Sequence, residues 1–292
     1  LGMSLNNNPT AQDLWNTTPA WGFPYIGSEL GVEPAAAPVI AELGGTVVGA
    51  SAYAMIDGAL YLEAGGYKSL SARWLGNVGL SEEDSSHLSG IAPYLRAAYD
   101  RENGAHHWHI GALLLDSTVR PDPLQTATDR YLDVGVDGMY QYFDGGDHSL
   151  TLNGLLIRET RHLPSSVMDG AAENADGHLV TTSTELTYAY KSTYAGSLSF
   201  FDIRGNVDAT LYPADMLSGS ANGRPDTRGY TVQAEYIPFG KSGSPGRNWL
   251  NVRLGIQYTA YSLFNGASSD YDGNGRNASD NNTLFAYAWF LF

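Results

Sequence analysis

The chain has 292 residues, with 31 acidic against 16 basic side chains, a formal net charge of −15 and no cysteine. That balance excludes a phosphate-neutralising nucleic-acid interface, and the lack of thiols excludes disulfides, thiolate metal sites and covalent haem attachment within the chain. Apolar content of 43% is ordinary, but 19 Tyr, 34 Gly and 6 Trp fit pleated surfaces and membrane–water interfaces.

The first residues, LGMSL, make at most half a strand, and a loop of some forty residues beginning NNNPTAQDLWNTTPAWGFPY follows them. A membrane-spanning strand takes about 9–11 residues. The expectation is therefore that Leu1 lies within a strand and that this chain is the C-terminal part of a larger barrel. No stretch approaches the roughly 20 apolar residues of a membrane helix; EPAAAPVIAELGG is interrupted by Pro34 and Pro38. The opening residues carry no basic head, apolar stretch or cleavage site of a signal peptide.

From there the dominant period is two, and strands are expected at 46–56, 59–68, 91–100, 107–116, 130–142, 148–160, 178–191, 196–204, 228–238, 248–263 and 283–292. In ALYLEAGGY, Leu60, Leu62 and Ala64 oppose Tyr61, Glu63 and Tyr67. In YLDVGVDGMYQY, Leu132, Val134, Val136 and Tyr140 oppose Asp133, Asp137 and Gln141. In NWLNVRLGIQYTAY, Leu250, Val252, Leu254, Ile256 and Tyr258 oppose Asn251, Arg253, Gln257 and Thr259. Such alternation marks strands with two unlike faces. Periodicity alone does not say which face looks inward. GSLSFFDIR puts Asp202 on the side of Leu198 and Phe200, and Pro93 suits a strand end.

The connections alternate in length. Short ones fall at 57–58, 101–106, 144–147, 192–195 and 240–248; long polar ones fall at 69–90, 117–129, 163–177, 205–227 and 264–282. Asp57-Gly58 is a strong hairpin signal, because both central residues of such a turn need positive φ. Short turns at one end and long loops at the other are the pattern of an outer-membrane barrel. A propeller would hold four strands per unit, and a sandwich would not sort its loops by length. The final TLFAYAWFLF places Leu284, Ala286, Ala288, Phe290 and Phe292 on one face. That apolar C-terminal strand is expected to meet lipid and to pair its edge with the first strand.

Three stretches, NNNPTAQDLWNTTPAWGFPY, SANGRPDTRGYTVQAEYIPF and YTAYSLFNGASSDYDGNGRNASDNNTLFAYAWFLF, resemble a group of bacterial outer-membrane proteins often catalogued as "cytochrome c". The resemblance implies an outer-membrane location and gives no substrate. The family label stems from a Cys-x-x-Cys-His haem motif ahead of the barrel, which has no counterpart here. Haem is therefore expected only through a missing upstream segment or a partner cytochrome.

On the assigned facing, Glu63, Asp133, Asp137, Glu185 and Glu235 point inward with Arg96, Lys191 and Arg253, and these eight are the candidate pore-lining residues. A narrow acidic interior favours cations, because low-dielectric walls focus the field of their charges. Asp270, Asp272 and Asn274 stand at alternate positions before Gly275, as the first ligands of a calcium loop over 270–281 would, although the twelfth position holds Asn281 in place of Glu. The competing reading is an Asn/Asp/Gly turn. His107 and His109 share one strand face beside a girdle Trp108.

The expectation is thus an all-β, antiparallel transmembrane β-barrel, a single domain over 1–292 with about twelve strands visible, in the bacterial outer membrane. It is expected to contact lipid, to pass small polar or cationic solutes without catalysis and to bind no nucleic acid. The alternatives are a barrel that sheathes or docks a haem cytochrome for electron transfer, and a structural or adhesion barrel with acidic cation-binding loops.

Overall fold

The computed structural model describes residues 1–28, 30–77, 87–121, 126–241, 243–244 and 250–291. Among them are twelve strands: β1 (Gly2–Asn6), β2 (Val47–Ile56), β3 (Leu60–Ser69), β4 (Ala92–Asn103), β5 (His106–Val119), β6 (Asp129–Phe143), β7 (His148–His162), β8 (Asp176–Tyr190), β9 (Tyr194–Gly205), β10 (Thr227–Tyr236), β11 (Asn251–Leu263) and β12 (Thr283–Leu291). They form one antiparallel sheet in strict chain order. The helices are short: α1 (Val39–Glu42), α2 (Ala72–Asn77) and α3 (Pro164–Met168). The expected start of a strand at 248 and the terminal Phe292 lie outside the described residues.

Because strand direction alternates, the connections fall at two ends. One end carries 7–46, 70–91, 120–128, 163–175, 206–226 and 264–282; the other carries 57–59, 104–105, 144–147, 191–193 and 237–250. The tight turns follow from their residues. Asp57 and Gly58 both have positive φ, and so do Lys191 and Ser192 in the β8–β9 turn, closed by Thr193 N donating to Tyr190 O.

Among the described residues the sheet is open: β1 pairs with β2 alone and β12 with β11 alone, so the expected pairing of the last strand with the first is not found there. Two edges, the five-residue β1 and the nine-residue β12, keep unpaired backbone groups.

The polarity of the sheet is inverted relative to a water-soluble protein. Val134 (45% exposed), Leu254 (42%) and Ile256 (50%) face outward, and Asp133, Asp137 and Gln257 on the same strands are buried. Aromatic side chains collect at the short-turn end of this outward face, among them Tyr99, Trp108, Tyr140, Tyr188 and Tyr236. Cations collect towards the long-loop end. Arg204 and Arg228 hold Asp202 at 2.6 and 2.8 Å, which explains how Asp202 shares a face with Leu198 and Phe200. Tyr140 and Arg130 on β6, and Tyr194 and Arg204 on β9, stand ten positions apart along the strand; Tyr236 and Arg228 on β10 stand eight apart. At ~3.3 Å per residue, that is an apolar band roughly 26–33 Å long measured along the strands. β8 carries Thr182 and Thr184 on this face.

On the inner face the abundance of Gly and Tyr has a local cause. A Cβ on Gly49 would collide with the ring of its cross-strand partner Tyr67, and one on Gly255 with that of Tyr287. Glycine lets an inward tyrosine lie flat across the neighbouring strand, which covers the backbone and permits curvature.

Candidate functional site

The described part of segment 7–46 folds back onto the inner face of the sheet, where Trp15, Val39, Ile40 and Leu43 are buried, while Trp21, Tyr25 and Leu30 stay exposed. Its local shape comes from side-chain caps: Asn8 Oδ1 accepts from Thr10 N at 3.1 Å, and Asp13 accepts from the N–H groups of Trp15, Thr17 and Thr18 at 3.0, 2.8 and 2.9 Å. Asn and Asp favour such turns over strand ladders, so this stretch folds as a compact insert.

Two charged clusters hold the insert. In the first, Arg96 Nη2 on β4 lies 3.2 Å from Asp13 Oδ1 and 2.8 Å from Asp137 Oδ2 on β6, with both ends of each pair fully buried. Asp137 Oδ2 also accepts from Thr17 Oγ1 at 2.5 Å and lies 2.8 Å from His109 Nε2. Trp15 stacks on His109 with centroids 4.4 Å apart, its indole N–H donates to Asp100 at 2.7 Å, and Arg96 sits 5.5 Å from its ring centre. Buried charges need partners of this kind, because desolvation of an unpaired one costs several kcal/mol; Arg96 Nε and Nη1, Asp137 Oδ1 and His109 Nδ1 are left without a hydrogen-bond partner. In the second cluster, the first turn of α1 meets acceptors on the wall: Val39 N donates to Glu159 at 2.6 Å and Ile40 N to Asp133 at 2.9 Å. Arg161 bridges Glu159 and the Tyr212 hydroxyl of the 206–226 loop, both at 2.5 Å.

The loops above are tied down in the same way. Asp129 accepts from Ser165 N and the Ser166 hydroxyl at the start of α3. Asp208 accepts from the N–H groups of Glu173, Asn174, Thr210 and Leu211. Burial works against its charge, but the donors of Leu211, Asn174 and Glu173 outweigh this and hold its carboxyl below the usual carboxylate range.

Below the insert, towards the short-turn end, a cavity of about 420 Å³ remains. Trp15, Asn16, Phe23 and Tyr25 of the insert form one side, and β5 to β11 form the other, with Asn153, Glu185, Gln233, Glu235 and Arg253 among its walls.

Seven of the eight candidate pore-lining residues lie on the inner face. They do not form one acidic channel. Glu63 accepts from Ser51 and Tyr61 at 2.5 and 2.9 Å, and Asp133, Asp137 and Arg96 hold the insert. Glu185, Glu235 and Arg253 do come together, at the cavity. Lys191 is placed differently: it sits in the β8–β9 turn, 3.4 Å from Asp147 and over the Tyr190 ring, because a positive φ takes it out of the strand's alternation. His107 and His109 are both inward, but each is engaged, with Asp100 and with Asp137, and neither presents a free nitrogen at Nε2 as a haem ligand.

Asp270, Asp272 and Asn274 form the Asn/Asp/Gly turn. Asp270 accepts from Gly275 N at 2.6 Å, and Asp272 accepts from Asn274 N and Arg276 N at 2.9 and 3.1 Å. Among the described residues no three His, Cys, Asp or Glu side chains converge on a metal position. Sequence reasoning missed the insert's own Asp13, Trp15 and Thr17. The signal available was Trp15 and the Val39-Ile40 pair standing in an otherwise polar, capped loop. No family model matches the chain, and no curated protein matches it.

Proposed function

We propose that this chain is the membrane-spanning part of an outer-membrane β-barrel, porin-like in its wall, whose interior segment 7–46 restricts the passage of small polar or cationic solutes. The observation that carries this reading is the inverted polarity: Val134, Val136, Leu198 and Ile256 face outward at 45–52% exposure, and Asp133, Asp137 and Glu159 are buried behind them. In water that arrangement would be strongly unfavourable; against hydrocarbon it is the stable one. The outward aromatic zone on one side of the apolar band and the cations on the other match the two interfaces of a bilayer. The resemblance to outer-membrane proteins points to the same location.

The insert makes a second reading, a structural barrel closed to solutes, worth separating from the first. Conductance of the purified protein in a planar bilayer does so. Restricted passage predicts small, infrequent openings in the native protein and larger, frequent ones in Asp13→Ala, which releases the insert from Arg96. A native protein that conducts freely rules out restriction by the insert. Silence in both proteins favours the structural reading.

A further inference from the structure

The inner wall around the cavity has a composition that its charged residues alone do not disclose. In one register row across six strands stand Gln141, Thr151, Thr187, Ser197, Gln233 and Gln257, each paired directly with the next. The next row towards the loops runs Asn153, Glu185, Ser199, Thr231 and Thr259. Eleven positions thus present nine hydroxyl or amide groups on residues other than Asn153, plus its own amide and a single carboxylate. A water-filled cation path would instead leave carboxylates free.

The carboxylates that reach the cavity are occupied. Glu185 accepts from Thr187 Oγ1 at 2.7 Å and from Asn153 Nδ2 at 3.4 Å. Glu235 accepts from the Tyr287 hydroxyl at 2.5 Å and lies 3.5 Å from Arg253 Nε. What remains unsatisfied is neutral. Gln233 is only 6% exposed, lines the cavity, and its Oε1 has no hydrogen-bond partner; Asn153 is half-buried and also lines the cavity, and its buried Oδ1 likewise has none. Buried amides are seldom left alone, and each such group marks a place where a missing donor belongs. Opposite them, Phe23 and Tyr25 stand edge to face with centroids 5.8 Å apart, an apolar surface on the insert.

We infer that the cavity is a binding site for a small uncharged polyhydroxylated solute, a mono- or disaccharide. Hydroxyl groups both donate and accept, as the amide and hydroxyl rows require, and the C–H faces of a sugar ring suit the aromatic side. The volume of about 420 Å³ falls in the ~300–1,000 Å³ range of small-molecule sites. The inference deepens the proposed passage of small polar solutes and rests on that reading for its biological sense, though not for its test.

The test is isothermal titration of the folded protein in detergent with glucose, sucrose and the dication putrescine. Saturable binding of at least one sugar is expected, with no comparable binding of putrescine. Gln233→Ala and Asn153→Ala, each first checked for native heat-modifiable gel mobility, are expected to weaken sugar binding about tenfold. No saturation with either sugar, putrescine bound as tightly, or unchanged sugar affinity in both variants overturns the assignment. A protein that inserts into bilayers but fails this titration loses the saccharide site alone. One that binds sugar but stays soluble without detergent loses the membrane reading alone.

Discussion

Arg96 illustrates how a charge on the wall of this sheet is used. Its Nη2 is shared between Asp13 of the insert and Asp137 of β6, in a place where all three side chains are out of contact with solvent. Arg96→Met leaves two carboxylates buried without their cation, and a loss of about 3–5 kcal/mol is expected in urea unfolding monitored in detergent. The double variant Arg96→Met with Asp13→Asn is expected to cost less than the sum of the single ones, since the two residues share one network. Asp208 gives a pH-dependent counterpart. Its carboxyl is held below its unfolded value, so its contribution to loop stability is present above the unfolded pKa of ~4 and is lost as pH falls through the lower folded value. Limited proteolysis of the 206–226 loop is expected to accelerate over that acid window in the native protein. In Asp208→Asn cleavage is expected to be fast already at neutral pH and to change less on acidification.

At the scale of elements, strands such as β6 and β11 are ribbons with an outward apolar row and an inward polar one, whereas β8 turns Thr182 and Thr184 outward and β5 turns Leu113 and Leu115 inward. Val136, in the middle of the band on β6, tests this row directly. Val136→Arg is expected to destabilise the bilayer-inserted protein by about 2–4 kcal/mol, read as a shift in its urea unfolding midpoint, and a surface loop of the same protein should tolerate arginine. The strands were legible in the sequence because the pleat fixes a period of two, and the alternation from Leu250 to Tyr258 is too strict for a helix, whose period is 3.6. Asp57-Gly58 was legible because its turn chemistry is equally local. Segment 7–46 was not, because what shapes it is distant: Asp13 meets Arg96, Thr17 meets Asp137, and Ile40 N meets Asp133, partners that share no local pattern with it. Which residues share a face with Glu63 and with Asp137 could be read from alternation, but not whether a neighbour already occupied their carboxylates. Lys191 misled for a purely local reason, the positive φ that ends the alternation at a tight turn.

At the scale of the whole molecule the sheet buries charged side chains such as Asp133, Asp137 and Glu159 together with an apolar cluster around Leu113, Leu115 and Ile157 against its own N-terminal segment, and turns a second apolar set outward. The unpaired edges of β1 and β12 are the part of this architecture that hydrocarbon does not tolerate, since backbone groups exposed there find no water. A lipid-embedded state therefore requires both edges to be covered, and amide exchange in a bilayer is expected to be slow along β12 if they are. The central claim, that Val134, Val136, Leu198 and Ile256 meet hydrocarbon, is tested most directly by single cysteine labels in this naturally cysteine-free chain. Spin labels at those four positions, in reconstituted vesicles, should collide with dissolved oxygen and be shielded from a water-soluble nickel chelate. Ready collision of the same four labels with the chelate, in a protein that stays monomeric in buffer without detergent, would contradict the account.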